Sequence, residues 1–302
     1  MSDVGVLIGP TASGKSALAV ALAAAVGDVE IVSMDSMAVY RGMDIGTATP
    51  SMADRGGVPH HLLDVVDPWC EHTVADHQAM VNEVLADISG RGHRALLVGG
   101  TGLYVRAVVD RLSIPARYPE VRAALEADPD TEALHRRLSE LDPLAASRME
   151  PMNRRRILRA LEVTLGSGMP FSAHGPGLGE HAPVSWPIIG LELERPLVDR
   201  RIAERYAIQM EVGFLDEVRT LAALPEGLSP TARQALGYRE LLSHIEQGVP
   251  LETAVTEAIT RTRRFARRQQ RWFRRDPRIQ WISVDEAGTS GLVSTVATAL
   301  GW

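Results

Sequence analysis

Val4-Gly-Val-Leu-Ile-Gly-Pro-Thr-Ala-Ser-Gly-Lys-Ser16 is the stretch on which the fold turns. Its first part, Val4 to Ile8, is a continuous apolar run, the pattern of a strand buried on both faces of a parallel sheet. Gly9-Pro10-Thr11-Ala12-Ser13-Gly14-Lys15-Ser16 follows, and an alanine- and leucine-rich helix is expected from Ser16 to Val26. Strand, glycine-rich turn and helix in that order make a phosphate cradle. The glycines let successive backbone N–H groups point inward, and the helix adds the positive end of its dipole. Lys15 supplies a full charge, and the Ser16 hydroxyl suits Mg²⁺. Lys15 is also the only lysine in the chain, every other basic position being arginine. A compact, flexible ammonium is therefore wanted at this one place.

Outward from the cradle the chain alternates strand and helix. Strands are expected at Val29 to Met34 and Arg94 to Gly99, with a helix from Val74 to Arg91 between them. Apolar strands separated by helices give a P-loop-type α/β fold, a parallel sheet covered by helices. Ligands gather beyond the carboxyl ends of such strands. That geometry brings together the cradle, Asp35-Ser36-Met37-Ala38 and Gly99-Gly100-Thr101-Gly102. Asp35 is then a carboxylate beside a phosphate site, readable as Mg²⁺ ligand, general base or turn cap. The strand ending in Gly99 and Gly100 lacks the aspartate with which nucleotide hydrolases often close it. An Asn-Lys-x-Asp guanine signature is impossible with one lysine. ATPase and GTPase readings are weakened accordingly.

The chain of 302 residues has 45% hydrophobic content, enough for a sizeable core. No apolar run reaches the length of a membrane span, the first strand begins almost at once, and the one cysteine, Cys70, cannot form an internal disulfide. A cytoplasmic protein with no membrane partner is expected. The strand pattern gives out near Ser113 and returns at Ile188 to Leu193, so three regions are expected: a core at 1–112, a helical insertion at 113–185, and a return to the core with a helical C-terminal region at 186–302. Helices are expected at Leu197 to Gly213, Leu215 to Leu224, Thr231 to Gln247 and Leu251 to about Arg275, then a strand at Gln280 to Val284 and a helix at Gly291 to Leu300. Net charge is −6, yet eight arginines stand between Arg261 and Arg275, with Phe265, Trp272 and Phe273 among them. A second basic run is Arg154 to Arg159. Two such patches on an acidic chain suit a nucleic-acid footprint.

Taken together these residues resemble a known family. Gly9 to Ser16, Asp35-Ser36, Val39-Tyr-Arg-Gly-Met-Asp-Ile-Gly-Thr-Ala48, His60-His-Leu-Leu-Asp64, Val98-Gly-Gly-Thr-Gly-Leu-Tyr104, Arg159-Ala-Leu-Glu-Val163 and Phe265-Ala-Arg-Arg-Gln269 are similar, in order and spacing, to the bacterial tRNA dimethylallyltransferases, of the tRNA isopentenyltransferase family. The resemblance implies transfer of a dimethylallyl group from dimethylallyl diphosphate to N6 of adenosine 37, beside the anticodon of tRNAs reading codons that begin with U, with Mg²⁺ as cofactor. It implies Asp35 as general base and Thr101 as the residue positioning the adenosine. It places the diphosphate and prenyl donor on Gly9, Pro10, Thr11, Ala12, Ser13, Gly14, Lys15, Ser16 and Arg205, with Mg²⁺ at Ser16. The phosphate loop would hold a leaving group, so the ATP-type motif implies no ATP. Contact with the anticodon stem-loop is implied at Asp35, Ser36, Met37, Ala38, Thr101, Arg122, Arg155, Arg156, Ile157, Leu158, Arg159, Arg264 and Arg268. Met37 and Ala38 differ from the pairs many relatives carry there. His60 and His61 are expected to be structural, and the chain to be a monomer, with no apolar heptad visible.

Two rival classes share parts of this pattern. A small-molecule kinase would have the loop and the insertion but no use for the arginine-rich helix. A non-catalytic RNA-binding switch would use the arginines but not a carboxylate beside the loop.

Overall fold

The computed structural model describes residues 3–175 and 177–302. The chain divides into two compact units, residues 1–110 with 183–302, and residues 111–182. The loss and return of the strand pattern in the sequence put the expected divisions at 113 and 185, a few residues further along the chain.

The first unit is a six-stranded sheet in the order β3-β2-β4-β1-β5-β6. The strands are β1 (Val4–Ile8), β2 (Val29–Ser33), β3 (His60–His61), β4 (Arg94–Gly99), β5 (Ile188–Glu192) and β6 (Ile279–Ser283). Every pairing is parallel. Parallel strands need crossovers, and helices supply them: α1 (Lys15–Val26), α2 (Val74–Gly90) and α3 (Gly102–Val109). Alternate strand residues then feed two cores. Leu7, Ile31, Leu96, Val98, Ile189 and Leu191 pack on one face with α1. Val6, Ile8, Val32, Leu97 and Ile188 pack on the other with α2 and α3. This is the α/β sheet covered by helices that the apolar runs required.

β3 is not foreseeable from the sequence because two residues carry no period; it is held by register, His60 and His61 lying opposite Ile31 and Val32. Neither histidine is in a metal cluster, and no group of three or more potential metal ligands occurs among the described residues. His61 Nε2 bonds Glu30 Oε2 at 2.6 Å, and Arg91 and His93 complete that carboxylate's shell. Burial pushes the Glu30 carboxyl up, but hydrogen bonds from His61, Arg91 and His93 outweigh it and hold the group below its ordinary value.

The second unit is helical: α4 (Pro119–Glu126), α5 (Thr131–Leu141), α6 (Pro143–Ser147) and α7 (Arg154–Ser167). Its own core joins Leu125, Leu134, Leu138, Ile157, Leu158 and Leu161. Asp130, Asp142 and Asn153 cap the starts of α5, α6 and α7 by accepting from Ala133, Ala145 and Arg156 N–H.

After β5 the first unit continues with α8 (Arg195–Glu211), α9 (Phe214–Ala222), α10 (Tyr238–Gln247) and α11 (Leu251–Phe273), then β6 and α12 (Val293–Leu300). The single helix expected over Thr231 to Gln247 is corrected: a short 3-10 turn, Ala232–Gln234, precedes α10. Gly237 makes the break, with φ of 87° and no room for a side chain, since a Cβ there would lie 2.8 Å from the Phe214 ring. The long arginine-rich helix is present as α11, burying Ala254, Ala258, Thr262, Ala266, Gln269 and Phe273 along one stripe.

Candidate active site

Beyond the carboxyl end of β1 the chain folds into the cradle. Ser13 N–H donates to Pro10 O at 3.3 Å, closing the turn, and Gly14 takes φ of 86° before α1 begins. α1 has no side-chain cap and no acidic residue in its first turn. Its leading N–H groups are left for a ligand. Among the described residues Lys15 reaches only Pro10 O, at the long distance of 3.5 Å. Burial lowers its pKa, while Asp35 raises it and Arg205 lowers it further. Arg205, from α8, donates Nη1–H to Thr11 Oγ1 at 2.9 Å, and its Nε is buried with no partner among the described residues. Desolvation also lowers the Arg205 pKa. Two cations thus stand together with little solvent and few internal acceptors. Such groups are costly alone and are satisfied by an anion. Ser16 is exposed and forms no side-chain hydrogen bond among the described residues.

Asp35 stands two residues past the end of β2. Its Oδ1 accepts from Met37 N–H at 2.8 Å and Ala38 N–H at 3.3 Å. Oδ2 makes no hydrogen bond among the described residues. The turn-cap reading and the acid–base reading therefore coexist, one on each oxygen. Lys15 and Arg205 both feel this carboxylate. Ser36 Oγ lies 3.4 Å from Thr101 Oγ1, so the loops after β2 and β4 meet at two of the expected residues. Met37 is half-buried, and Ala38 is buried at 5% exposure. Behind Asp35, the buried His77 donates from Nε2 to Ser33 O at 3.0 Å and accepts from His72 Nε2 at 3.1 Å.

Sequence reasoning gives no role to Gln269, which sits on the buried stripe of α11. Thr11 N–H donates to its Oε1 at 3.0 Å, and its Nε2 donates to Gly100 O at 2.9 Å. A Cβ on Gly100 would collide with that Nε2 and lie 2.8 Å from Gly9 O. On the rest of α11 and just past its end the arginines divide. Arg261 pairs with Glu257 at 2.5 Å, Arg263 donates to Asp199 O at 2.9 Å, and Arg274 pairs with Glu192. Arg264, Arg267, Arg268, Arg271 and Arg275 form no hydrogen bond or ion pair among the described residues. Arg268 stands over the Phe265 ring at 5.8 Å.

In the second unit the expected nucleic-acid residues also separate. Arg155 and Arg156 are exposed. Arg159 is engaged by Glu162 at 2.9 Å and by the carbonyls of Ala116 and Pro115 at 3.2 and 2.7 Å, and Arg122 pairs with Glu126 at 2.7 Å. Ile157 and Leu158 are corrected: at 0% and 3% exposure their side chains belong to the helical core and cannot meet a ligand. The motif is contiguous, but a helix turns part of it inward.

A glycine-rich strand-to-helix turn facing a carboxylate, at the carboxyl edge of an all-parallel sheet, defines a P-loop-type α/β protein. Comparison with known proteins takes this to a family. The model of the IPP transferase family matches residues 38–276, a span that begins after the cradle and so does not depend on it. The curated tRNA dimethylallyltransferase of Acidothermus cellulolyticus is 47% identical over 310 residues, covering 100% of this chain and 95% of that protein. The crystal structure of the full-length tRNA isopentenylpyrophosphate transferase of Bacillus halodurans is 35% identical, with a TM-score of 0.73, covering 100% of this chain and 97% of that one. A eukaryotic dimethylallyltransferase acting on tRNA, 24% identical, shares the fold with a TM-score of 0.82 over 100% of this chain and 79% of its own. The chain belongs to the IPP transferase family.

Proposed function

We propose that this enzyme transfers a dimethylallyl group from dimethylallyl diphosphate to N6 of adenosine 37 of tRNA, giving N6-isopentenyladenosine. The observation that carries the reading is two partly buried, under-bonded cations, Lys15 and Arg205, set near the open oxygen of Asp35. The first two suit a departing diphosphate. The third suits an amine that must lose a proton.

Adenine N6 is a poor nucleophile because its lone pair is delocalised into the ring, so a base must take a proton as the C–N bond forms. Asp35 Oδ2 is the acceptor. The bond from the allylic carbon to the diphosphate oxygen breaks, and the charge left on that oxygen falls to Lys15, Arg205 and the first amides of α1. Thr101, with Ser36 against it, orients the adenosine. The base must leave its stack to reach the site, which a single-stranded loop permits.

A hard divalent cation fits the donors here: the free Ser16 hydroxyl offers one oxygen ligand, and the diphosphate and water supply the rest. Mg²⁺ is commonly held that way, with few protein ligands. When bound it would neutralise diphosphate charge. The exposed arginines of α11, and separately Arg155 and Arg156 of the second unit, suit contacts to RNA phosphates. No helix among the described residues is long and apolar enough to cross a membrane. We place the enzyme in the cytoplasm as a monomer, in keeping with its tRNA substrate and lone cysteine.

The test is transfer of labelled dimethylallyl from its diphosphate to an anticodon stem-loop carrying A37, beside an A37→G control and an ATP hydrolysis assay. Label in the A37 substrate alone, without ATP consumption, is expected. ATP turnover with no label would return the cradle to a kinase.

A further inference from the structure

Gln269 is 7% exposed and spends both ends of its amide on backbone: Oε1 on Thr11 N–H at 3.0 Å, Nε2 on Gly100 O at 2.9 Å. Those two atoms belong to different loops. Thr11 is in the cradle and carries the hydroxyl that accepts from Arg205. Gly100 precedes Thr101, whose hydroxyl meets Ser36. The side chain comes from a third element, α11, and the fit leaves no slack, because a Cβ on Gly100 would strike the amide itself.

We propose that Gln269 is a positioning residue of the transfer reaction, a clasp that sets the separation between the loop holding the prenyl diphosphate and the loop holding the adenosine. This rests on the function proposed above. Displacement of one bound group by another requires the reacting atoms at about 3–3.5 Å and aligned, and a misplacement of about 1 Å costs on the order of 10²-fold in rate. A single planar amide bridges the two loops, with a donor and an acceptor in fixed relation. A neutral amide also leaves no charge beside the diphosphate, where a carboxylate would repel it.

The experiment compares wild type with Gln269→Met, which keeps the length and loses both bonds, and Gln269→Glu, which still accepts from Thr11 N–H but sets an oxygen against Gly100 O. kcat and KM are measured for dimethylallyl diphosphate and an anticodon stem-loop, with stem-loop Kd by filter binding and Tm for each variant. Gln269→Met is expected to lower kcat by on the order of 10²-fold with stem-loop Kd within about twofold of wild type. Gln269→Glu is expected to lose activity at neutral pH and regain part of it as pH falls, because a protonated glutamic acid again offers a donor to Gly100 O. A kcat within about threefold of wild type in Gln269→Met, or a kcat loss matched by equal loss of stem-loop affinity, overturns the proposal. Should Gln269→Met not fold, the pH profile of Gln269→Glu decides: an activity loss that does not recover with falling pH counts against the clasp. A wild type without prenyl transfer would refute the proposed function instead, and is read first.

Discussion

Asp35 divides its work between two oxygens, and the division can be tested. In Asp35→Asn the amide oxygen still accepts from Met37 and Ala38 N–H, so the turn survives while the base is lost. We expect kcat to fall by about 10²–10⁴ with tRNA affinity retained, measured by single-turnover label transfer and filter binding. Equal loss in both would mean that the carboxylate serves only to hold the loop. Arg205 makes the complementary case. Its guanidinium is pinned to Thr11 and otherwise under-bonded, so Arg205→Met should raise KM for the prenyl diphosphate at least tenfold while leaving stem-loop Kd unchanged. Titration of inorganic diphosphate as a competitive inhibitor reads the same loss without catalysis; unaltered inhibition would remove Arg205 from the anion site.

At the scale of elements, α11 has two faces with separate duties. Gln269 and its neighbours look inward, and the unpaired arginines look outward. Arg264→Ala and Arg268→Ala should each shallow the slope of log Kobs against log[salt] by about 0.7–0.9, the amount that neutralising a single phosphate contributes, with kcat at saturation preserved. Arg274→Ala is the control, because Glu192 already neutralises that side chain and the slope should not move. What the sequence reveals follows the same division. The strands and the cradle are legible because continuous apolar runs and a glycine-rich turn are local patterns, and the crowd of arginines outruns the carboxylates available to it. Gln269 stands in a string that carries the family resemblance, yet its role is not legible there, since its two partners lie 258 and 169 positions away. The basic run around Arg155 is legible as charge but not as a face, so Ile157 and Leu158 are drawn into the site although helical periodicity turns them inward. The break at Gly237 escapes notice because a glycine inside a helical pattern is tolerated; its positive φ, and the Phe214 ring that leaves no room for a side chain, belong to the folded chain.

For the molecule as a whole, acid should act unequally on the two units, because the buried histidines, His72 and His77, are both in the first. His77 is 1% exposed; burial first, and the neighbouring His72 second, bring it from the ordinary 6.5 down to about 4, against smaller opposing pulls from Ser33 O and Asp35. Between those values the unfolded chain binds a proton that the native one refuses. Stability from this group is therefore complete above about pH 6.5 and is lost as pH falls towards 4, by about 3 kcal/mol in total. Asp64 works in the opposite sense. Burial raises its carboxyl to about 6, with Asp44 beside it adding to the rise and Arg55 opposing, so its cost to the native state appears as pH climbs from 3.8 towards 6. In wild type the two slopes offset each other across about pH 4–6. Single variants expose them: in urea titrations, His77→Phe should lose less stability than wild type as pH falls through that window, and Asp64→Asn should lose more. Amide exchange should register both changes in β1, β2 and β4 and not in α5 or α7, whose core is separate. A pH profile of His77→Phe parallel to wild type would mean that His77 titrates near its ordinary value and that the acid response of the first unit lies elsewhere.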